Sequence, residues 1–168
     1  MSSEPAGSRE AFRGRLVRVD VERWTEPDRE REVVRHPGAA AIVALTEAGE
    51  VVLVRQLREA VRRRLLELPA GLLDVEGEAP AETARRELAE EAGYRAPEVR
   101  PLGRVHTSPG FADEVVHLFV AEGVVRTGRP EDRVEVVTMP LHEAVAAARI
   151  GTISDAKTVA GLLLALDR

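Results

Sequence analysis

Two nearly continuous apolar runs most constrain the fold of this chain. They are AAAIVAL at residues 39–45 and VVLVRQL at residues 51–57, separated by the short segment TEAGE. Neither run approaches the ~18 apolar residues expected of a membrane span. A strand without polar alternation is typically buried on both faces. We therefore predict a buried strand pair joined by a glycine-containing turn.

The segments on either side of this pair predict further strands and three helices. The alternation in RLVRVDVERW and the segment REVVRH predict an antiparallel hairpin ahead of the main body, with TEPDRE as its turn. Further strands are expected at RRRLLELPAG, VRPLGRVHT, VVHLFVAEG and RVEVVTM. Helices are expected between Pro80 and Gly93, at LHEAVAAARI and at DAKTVAGLLLAL.

These elements do not alternate regularly, so the predicted fold class is α+β, a mixed sheet with helices on its faces. We expect residues 1–37 to form the N-terminal hairpin region and residues 38–168 the main domain. The first ten or so residues are small and polar, which predicts a loose tail.

Charge and composition exclude several classes of function. The net charge of −5 argues against a general nucleic-acid binder, which would carry a basic patch. The chain has no cysteine, which excludes disulfides, zinc–thiolate sites and thiol nucleophiles. The N-terminus lacks the basic start and apolar run of a signal peptide. We therefore expect a cytoplasmic protein with neither nucleic acid nor membrane as its partner.

The stretch RRELAEEAGY, residues 85–94, concentrates negative charge on one predicted helix. Glu87, Glu90 and Glu91 lie within about one turn, where like charges repel by a few tenths of a kcal/mol per pair. The apolar face that we expect to pack on the sheet carries Ala81, Ala84, Leu88 and Ala92. The three carboxylates lie beside this face, and a cation in front of them would offset their repulsion.

Together with Gly71 and Glu78 upstream, this stretch resembles the signature of the Nudix hydrolases, G-x5-E-x7-R-E-U-x-E-E-x-G-U, in which U is apolar. Six residues rather than five separate Gly71 from Glu78, and Tyr94 replaces an aliphatic residue at the last position. The extra residue lies in the loop and leaves the spacing of the helix carboxylates unchanged. The resemblance implies a Nudix-type α/β/α sandwich around the mixed sheet.

The resemblance also implies a metal site. Glu87 and Glu91 are then the main ligands, helped by Glu90, which is also a catalytic residue, and by the backbone carbonyl of Ala70. Carboxylate oxygens suit Mg²⁺, and Mn²⁺ or Zn²⁺ are alternatives. Two or three ions per active site are expected, to neutralise a diphosphate and activate water. The signature residues expected to have structural roles are Gly71, Glu78, Arg86 and Gly93.

Two loops are similar to those of the ADP-ribose pyrophosphatase branch, namely LLELPAGLLD before the signature and SPGFADE after it. In that branch a proline lies about fifteen residues beyond the signature, where this chain has Pro109. The resemblance makes Pro109, Gly110 and Phe111 substrate-binding residues and places Arg58 on the substrate's phosphates. A bidentate guanidinium suits that contact.

The general base in that branch is a carboxylate on the loop before the last strand. Here the loop is GRPEDRVEV, and its spacing favours Glu131 or Asp132 without separating them. His106 and His117 receive no role, and His36 is expected in a turn or at the surface.

The N-terminal hairpin of that branch exchanges between two subunits. Arg31 and Glu32 match positions that contact adenine, so the resemblance implies substrate contacts made by the partner subunit. Pairing would also cover the exposed edge of the hairpin. We therefore expect a two-fold homodimer.

The preferred interpretation is Mg²⁺-dependent hydrolysis of ADP-ribose to AMP and ribose 5-phosphate. One alternative keeps the chemistry and changes the substrate to another nucleotide sugar, such as GDP-mannose, or to a dinucleotide. A second alternative is a Nudix-like module that senses nucleotides without turnover, and a third is a structural domain with a charged helix.

Overall fold

The computed structural model describes residues 4–166, which contain twelve strands and three helices. The strands are β1 (Gly7–Arg13), β2 (Arg18–Thr25), β3 (Asp28–Arg35), β4 (Ala39–Leu45), β5 (Glu50–Arg58), β6 (Arg63–Glu67), β7 (Ala70–Leu72), β8 (Tyr94–Arg95), β9 (Arg100–His106), β10 (Val115–Glu122), β11 (Val125–Arg126) and β12 (Glu135–Pro140). The helices are α1 (Pro80–Ala92), α2 (Leu141–Arg149) and α3 (Ala156–Ala165).

Seven strands form the central sheet, with β4 near its middle. The main path runs β12-β5-β4-β10-β9, while β6 pairs with β5 and β7 pairs with β4. Strands β4 and β10 are parallel, and the other pairs are antiparallel. The predicted mixed sheet is therefore confirmed. The predicted pair of apolar strands is also present, although β4 and β5 share only two paired positions, next to their turn.

Side chains of β4 alternate between two separate hydrophobic cores. Ala41 and Val43 belong to the core beneath α2 and α3, whereas Ala40 and Ile42 belong to the core beneath α1. Residues 39–44 are all buried because helices cover both faces of the sheet. The predicted α/β/α sandwich is therefore present.

The three strands β1, β2 and β3 form their own antiparallel sheet, so the predicted hairpin of β2 and β3 is confirmed and has a third strand. The prediction of a loose N-terminal tail is wrong for Gly7–Arg13, because this segment hydrogen-bonds along β2. Residues 1–3 of that predicted tail lie outside the described residues. The predicted boundary between residues 37 and 38 falls in the short connection from β3 to β4.

Helix α1 begins at Pro80 and ends at Gly93, as the sequence predicts. Gly93 adopts the left-handed conformation with φ of 72°, and its N–H donates to the carbonyls of Ala89 and Leu88. A Cβ atom at this position would lie 2.6 Å from the backbone oxygen of Gly128. Gly93 therefore permits both the helix cap and the close approach of the chain around residue 128.

The short strands β8 and β11 were not predicted, and the single strand predicted at RRRLLELPAG is divided into β6 and β7. Strands β8 and β11 pair with each other, and β8 directly follows the C-terminal end of α1. None of the helices within residues 4–166 has the length and apolar character needed to cross a membrane.

Candidate active site

Strand β7 and helix α1 touch at Gly71. A Cβ atom on Gly71 would lie 2.0 Å from the Oε1 atom of Glu87, so no side chain fits there while Glu87 keeps this conformation. This contact brings strand β7, which carries Ala70 and Gly71, against the helix that carries the signature carboxylates. Local packing thus places the two parts of the signature at one site.

Glu91 is the most buried of the signature carboxylates, with 8 % of its surface exposed. The N–H of Ala70 donates to its Oε2 atom at 3.0 Å, and Nε2 of Gln56 lies 3.5 Å from its Oε1 atom. Burial raises the pKa of Glu91 to about 7, and the charge of Glu87 also raises it, whereas the hydrogen bond from Ala70 lowers it. The anion of Glu91 is therefore poorly compensated by the protein itself.

Arg86 links the other carboxylates of the signature. Its guanidinium forms a bidentate pair with Glu78, with N–O distances of 3.1 and 3.0 Å. The Nη1 atom also lies 2.6 Å from Oε1 of Glu87 and 3.2 Å from Oε2 of Glu90. Arg86 thereby ties the loop that carries Glu78 to the helix. The pKa of Glu78 is lowered by these hydrogen bonds and by one from Thr83.

Burial separates the environments of Glu87 and Glu90. The side chain of Glu87 is 14 % exposed, and burial raises its pKa despite the nearby guanidinium of Arg86. The side chain of Glu90 is 58 % exposed and reaches solvent. The helix therefore presents two partly desolvated carboxylates, Glu87 and Glu91, beside an exposed one.

The donor set fits a hard divalent cation, because it consists of carboxylate oxygens whose buried members carry raised pKa values. The side chains are nevertheless not gathered around one point. Across the described chain, no group of three or more histidine, aspartate or glutamate side chains has an arrangement that could hold a metal ion. Glu87 and Glu90 hydrogen-bond to Arg86 instead. Metal binding therefore requires the side chains of these two glutamates to rotate.

A cavity of about 490 Å³ opens beside Ala70 and Gly71. Arg58 lies in its wall, as do His36, Thr107, Ser108 and Glu114 from other parts of the chain. Its size is within the usual range for small-molecule sites. Gly71 of the signature and the predicted phosphate-binding arginine therefore line one cavity.

The loop that carries Glu131 and Asp132 packs against the C-terminal end of α1. The N–H of Glu131 donates to the carbonyl oxygen of Glu90 at 3.1 Å, and the N–H groups of Thr127 and Gly128 donate to Gly93. Both acidic side chains line a groove of about 610 Å³ that Arg58 also borders. The structure thus places both candidate bases near the helix and does not choose between them.

The other predicted substrate-binding residues lie farther out. Phe111 is 58 % exposed, and Pro109, Gly110 and Phe111 do not line the cavity, although the adjacent Ser108 does. Arg31 and Glu32 are exposed on β3 and do not line it either. Within this single chain, these five residues are not brought to the cavity.

Several polar residues of the cavity were not identified from the sequence. His36 lies in the connection between β3 and β4, which agrees with its prediction as a turn residue, but its side chain is only 12 % exposed and lines the cavity. Its Nδ1 atom accepts from the N–H of Gly38 and lies 3.4 Å from Glu114. Glu67 and Lys157 also line the cavity and form an ion pair across 90 residues of sequence. No sequence motif marks such a long-range pair.

Comparison with known proteins identifies the family. A model of the NUDIX domain matches residues 34–161, and the chain belongs to the NUDIX domain family. The chain is 41 % identical over 155 residues to an ADP-ribose pyrophosphatase of Bacillus subtilis (strain 168). The alignment covers 88 % of this chain and 83 % of that protein. The chain is also 41 % identical over 156 residues to a methanol dehydrogenase activator of Bacillus methanolicus, covering 88 % and 84 %.

A solved structure has the same fold. The crystal structure of an ADP compounds hydrolase superimposes with a TM-score of 0.80 at 22 % sequence identity, covering 98 % of this chain and 92 % of that one. The Nudix resemblance and the similarity to ADP-ribose pyrophosphatases predicted from the sequence are therefore confirmed.

Proposed function

We propose that this protein hydrolyses the diphosphate of ADP-ribose to AMP and ribose 5-phosphate. The observation that carries the proposal is that one cavity and its adjoining groove gather Gly71 of the signature, Arg58 and the loop carboxylates. The 41 % identity to an enzyme named for ADP-ribose pyrophosphatase activity supports this choice of substrate.

In this proposal, Glu87, Glu90 and Glu91 hold Mg²⁺ together with the carbonyl group of Ala70. The bound metal supplies charge neutralisation of the diphosphate and a lowered pKa of water. The raised pKa values of Glu87 and Glu91 support such a site, because a nearby cation stabilises their ionised forms. Mn²⁺ or Zn²⁺ can serve as alternatives, with two or three ions per site.

The remaining groups bind the substrate and move a proton. Arg58 contacts the phosphates, and Pro109, Gly110 and Phe111 shape the sugar end. Either Glu131 or Asp132 accepts the proton of the attacking water, since both lie in the groove beside Arg58. Gly71, Glu78, Arg86 and Gly93 keep the turn, loop and helix in position.

We further propose a cytoplasmic homodimer in which the N-terminal sheet reaches the partner subunit. Arg31 and Glu32 are exposed and lie away from the cavity of their own chain, which supports a role at the partner's adenosine site. Every residue of β1 is exposed, leaving an edge that a second chain can cover.

Product analysis tests the proposed activity. Purified protein is incubated with Mg²⁺ and, separately, ADP-ribose, GDP-mannose, NADH or a diadenosine polyphosphate. We expect AMP to form mainly from ADP-ribose and EDTA to abolish its formation. The variant Glu82→Gln should keep this activity, because Glu82 is an exposed acid on α1 at a variable position of the signature.

Two results would contradict parts of the proposal. Faster turnover of another substrate would retain the metal chemistry and reject the assignment of ADP-ribose. Nucleotide binding without turnover of any substrate, at any Mg²⁺ or Mn²⁺ concentration, would favour a sensing module.

A further inference from the structure

A buried carboxylate joins two cations in the wall of the cavity. Glu67 is the last residue of β6, and its side chain is 1 % exposed. Its Oε1 and Oε2 atoms accept from Nε and Nη2 of Arg58, both at 2.7 Å. The Oε2 atom also accepts from the ammonium group of Lys157. Within residues 4–166, no third side chain hydrogen-bonds to Glu67. Its carboxylate therefore accepts side-chain hydrogen bonds from Arg58 and Lys157 only.

The charges of this cluster are strongly coupled. Burial by itself raises the pKa of Glu67, but the hydrogen bonds and positive charges of Arg58 and Lys157 outweigh it and lower the pKa overall. Buried ion pairs often contribute no more to stability than apolar side chains of the same volume. Stability alone therefore does not account for a charged cluster at this position.

The pairing fixes which donors of Arg58 remain available. Nε and Nη2 face Glu67, whereas no group of the described chain accepts a hydrogen bond from Nη1. The side chain is 40 % exposed and borders both the cavity and the groove of the loop carboxylates. A substrate that extends from the cavity into the groove would therefore lie next to Arg58.

Lys157 is held at the same carboxylate, next to Arg58. It lies in the first turn of α3, and its ammonium group is 2.9 Å from Asp155, the residue that caps this helix. Its side chain is 12 % exposed and lines the cavity. Glu67 thus connects strand β5, which carries Arg58, with a helix about 100 residues later in the chain.

We propose that Glu67 is a positioning residue, which holds Arg58 and Lys157 side by side so that their free N–H groups face the diphosphate of the substrate. This inference rests on the proposed hydrolysis. Glu67 itself contacts no substrate atom and acts through the two cations.

The variant Glu67→Gln tests this role, because it keeps the size of the side chain and removes its charge. We expect the KM for ADP-ribose to rise about ten-fold or more, since charge-assisted hydrogen bonds are lost. The kcat should change less than about three-fold, because the signature carboxylates are untouched. In protein carrying ¹⁵N-arginine, the Nε–H of Arg58 should exchange faster with solvent. The conservative variant Glu67→Asp should give intermediate values.

A matched control is Glu122→Gln, which breaks an exposed pair with Arg100 at 2.8 Å. It should leave KM and the exchange of Arg58 unchanged. If Glu67→Gln does not fold, the variant Glu67→Gln/Lys157→Met removes one cation together with the carboxylate charge and is measured in the same way. A folded variant with unchanged KM and unchanged Arg58 exchange, and only a lower melting temperature, would overturn the inference.

A second readout separates this inference from the proposed function. Binding of inorganic pyrophosphate in the presence of Mg²⁺ is measured by calorimetry in both proteins. If the wild-type protein does not hydrolyse ADP-ribose, the proposed substrate is wrong. Pyrophosphate binding that is about ten-fold weaker in the variant would still support the positioning role. Equal binding in both proteins would reject it.

Discussion

At the scale of single residues, the protonation state of Glu91 has opposite effects on folding stability and on metal binding. Its pKa in the folded chain is raised to about 7, above the ordinary value of 4.5. Because the folded state binds this proton more tightly, the stabilisation is fully present below pH of about 4.5 and is lost as the pH rises through about 7. The ionised form needed for a metal ligand is thus the form that destabilises the metal-free protein.

Replacing Glu91 by glutamine should therefore separate activity from stability. In Glu91→Gln, product formation should fall by at least about 100-fold, because a metal ligand is lost. Without metal at pH 8, the free energy of unfolding should increase by on the order of 2–3 kcal/mol, which corresponds to about 4–10 °C in melting temperature. At pH 4.5 the gain should largely vanish. Wild-type turnover, or no stabilisation at pH 8, would contradict the account of Glu91.

Gly71 gives a second residue-scale prediction. In Gly71→Ala, the new methyl group would overlap the side chain of Glu87, so this carboxylate must leave its present position. We expect a loss of about 1–3 kcal/mol in the free energy of unfolding, with a large loss of activity. Chemical denaturation and product assays measure the two effects. Gly7→Ala is the control, since a Cβ at Gly7 has no neighbour within 4 Å. Equal effects of the two substitutions would disprove the close-contact argument.

At the scale of elements, strand β3 holds the loop that includes Phe111. The N–H of Val34 donates to the carbonyl of Phe111 at 2.7 Å, and the N–H of Asp113 donates to Val34 at 3.1 Å. Arg35 completes the link, because it pairs with Asp113 as well as with Asp20 and Glu22 of β2. The position of the N-terminal sheet therefore determines the position of this loop.

The variant Asp113→Ala should loosen this connection. It removes one of the three carboxylate partners of Arg35 and the acceptor for the N–H of His36. Hydrogen exchange at Val34 and the loop should accelerate, and the KM for ADP-ribose should rise by about three- to ten-fold with a smaller change in kcat. Asp28→Ala, at an exposed pair with Arg23 at the start of β3, is the control. Unchanged exchange in Asp113→Ala would show that the backbone contacts alone hold the loop.

The main elements and the signature were predictable because they depend on local patterns. Apolar runs marked β4 and β5, and Pro80 and Gly93 marked the ends of α1. Strand β1 was missed because its residues are all exposed, so that no apolar pattern marks it. The pairing of Glu67 with Lys157 was missed for a different reason: it depends on the packing of α3 against the end of β6, which no local pattern encodes.

At the scale of the whole molecule, the proposed dimer predicts complementation between inactive variants. Arg31→Ala/Glu32→Ala should impair the adenosine site that a chain offers to its partner, while Glu91→Gln impairs its own metal site. After co-refolding of equal amounts, half of the dimers are mixed and each has one intact site, so about a quarter of wild-type activity should return. Light scattering of the wild-type protein provides the oligomeric state. A monomer, or a mixture without recovered activity, would reject the exchanged sheet.

The two hydrophobic cores lie on opposite faces of the central sheet. Mutations in one core should therefore change the free energy of unfolding independently of mutations in the other. Among residues 4–166, no buried side chain belongs both to the core beneath α1 and to the core beneath α2 and α3. Changes in stability at distant sites without shared partners usually add. Evolution or design can therefore repack the layer of α2 and α3 to adjust the thermal tolerance of the enzyme, while the layer that supports the carboxylates keeps its sequence.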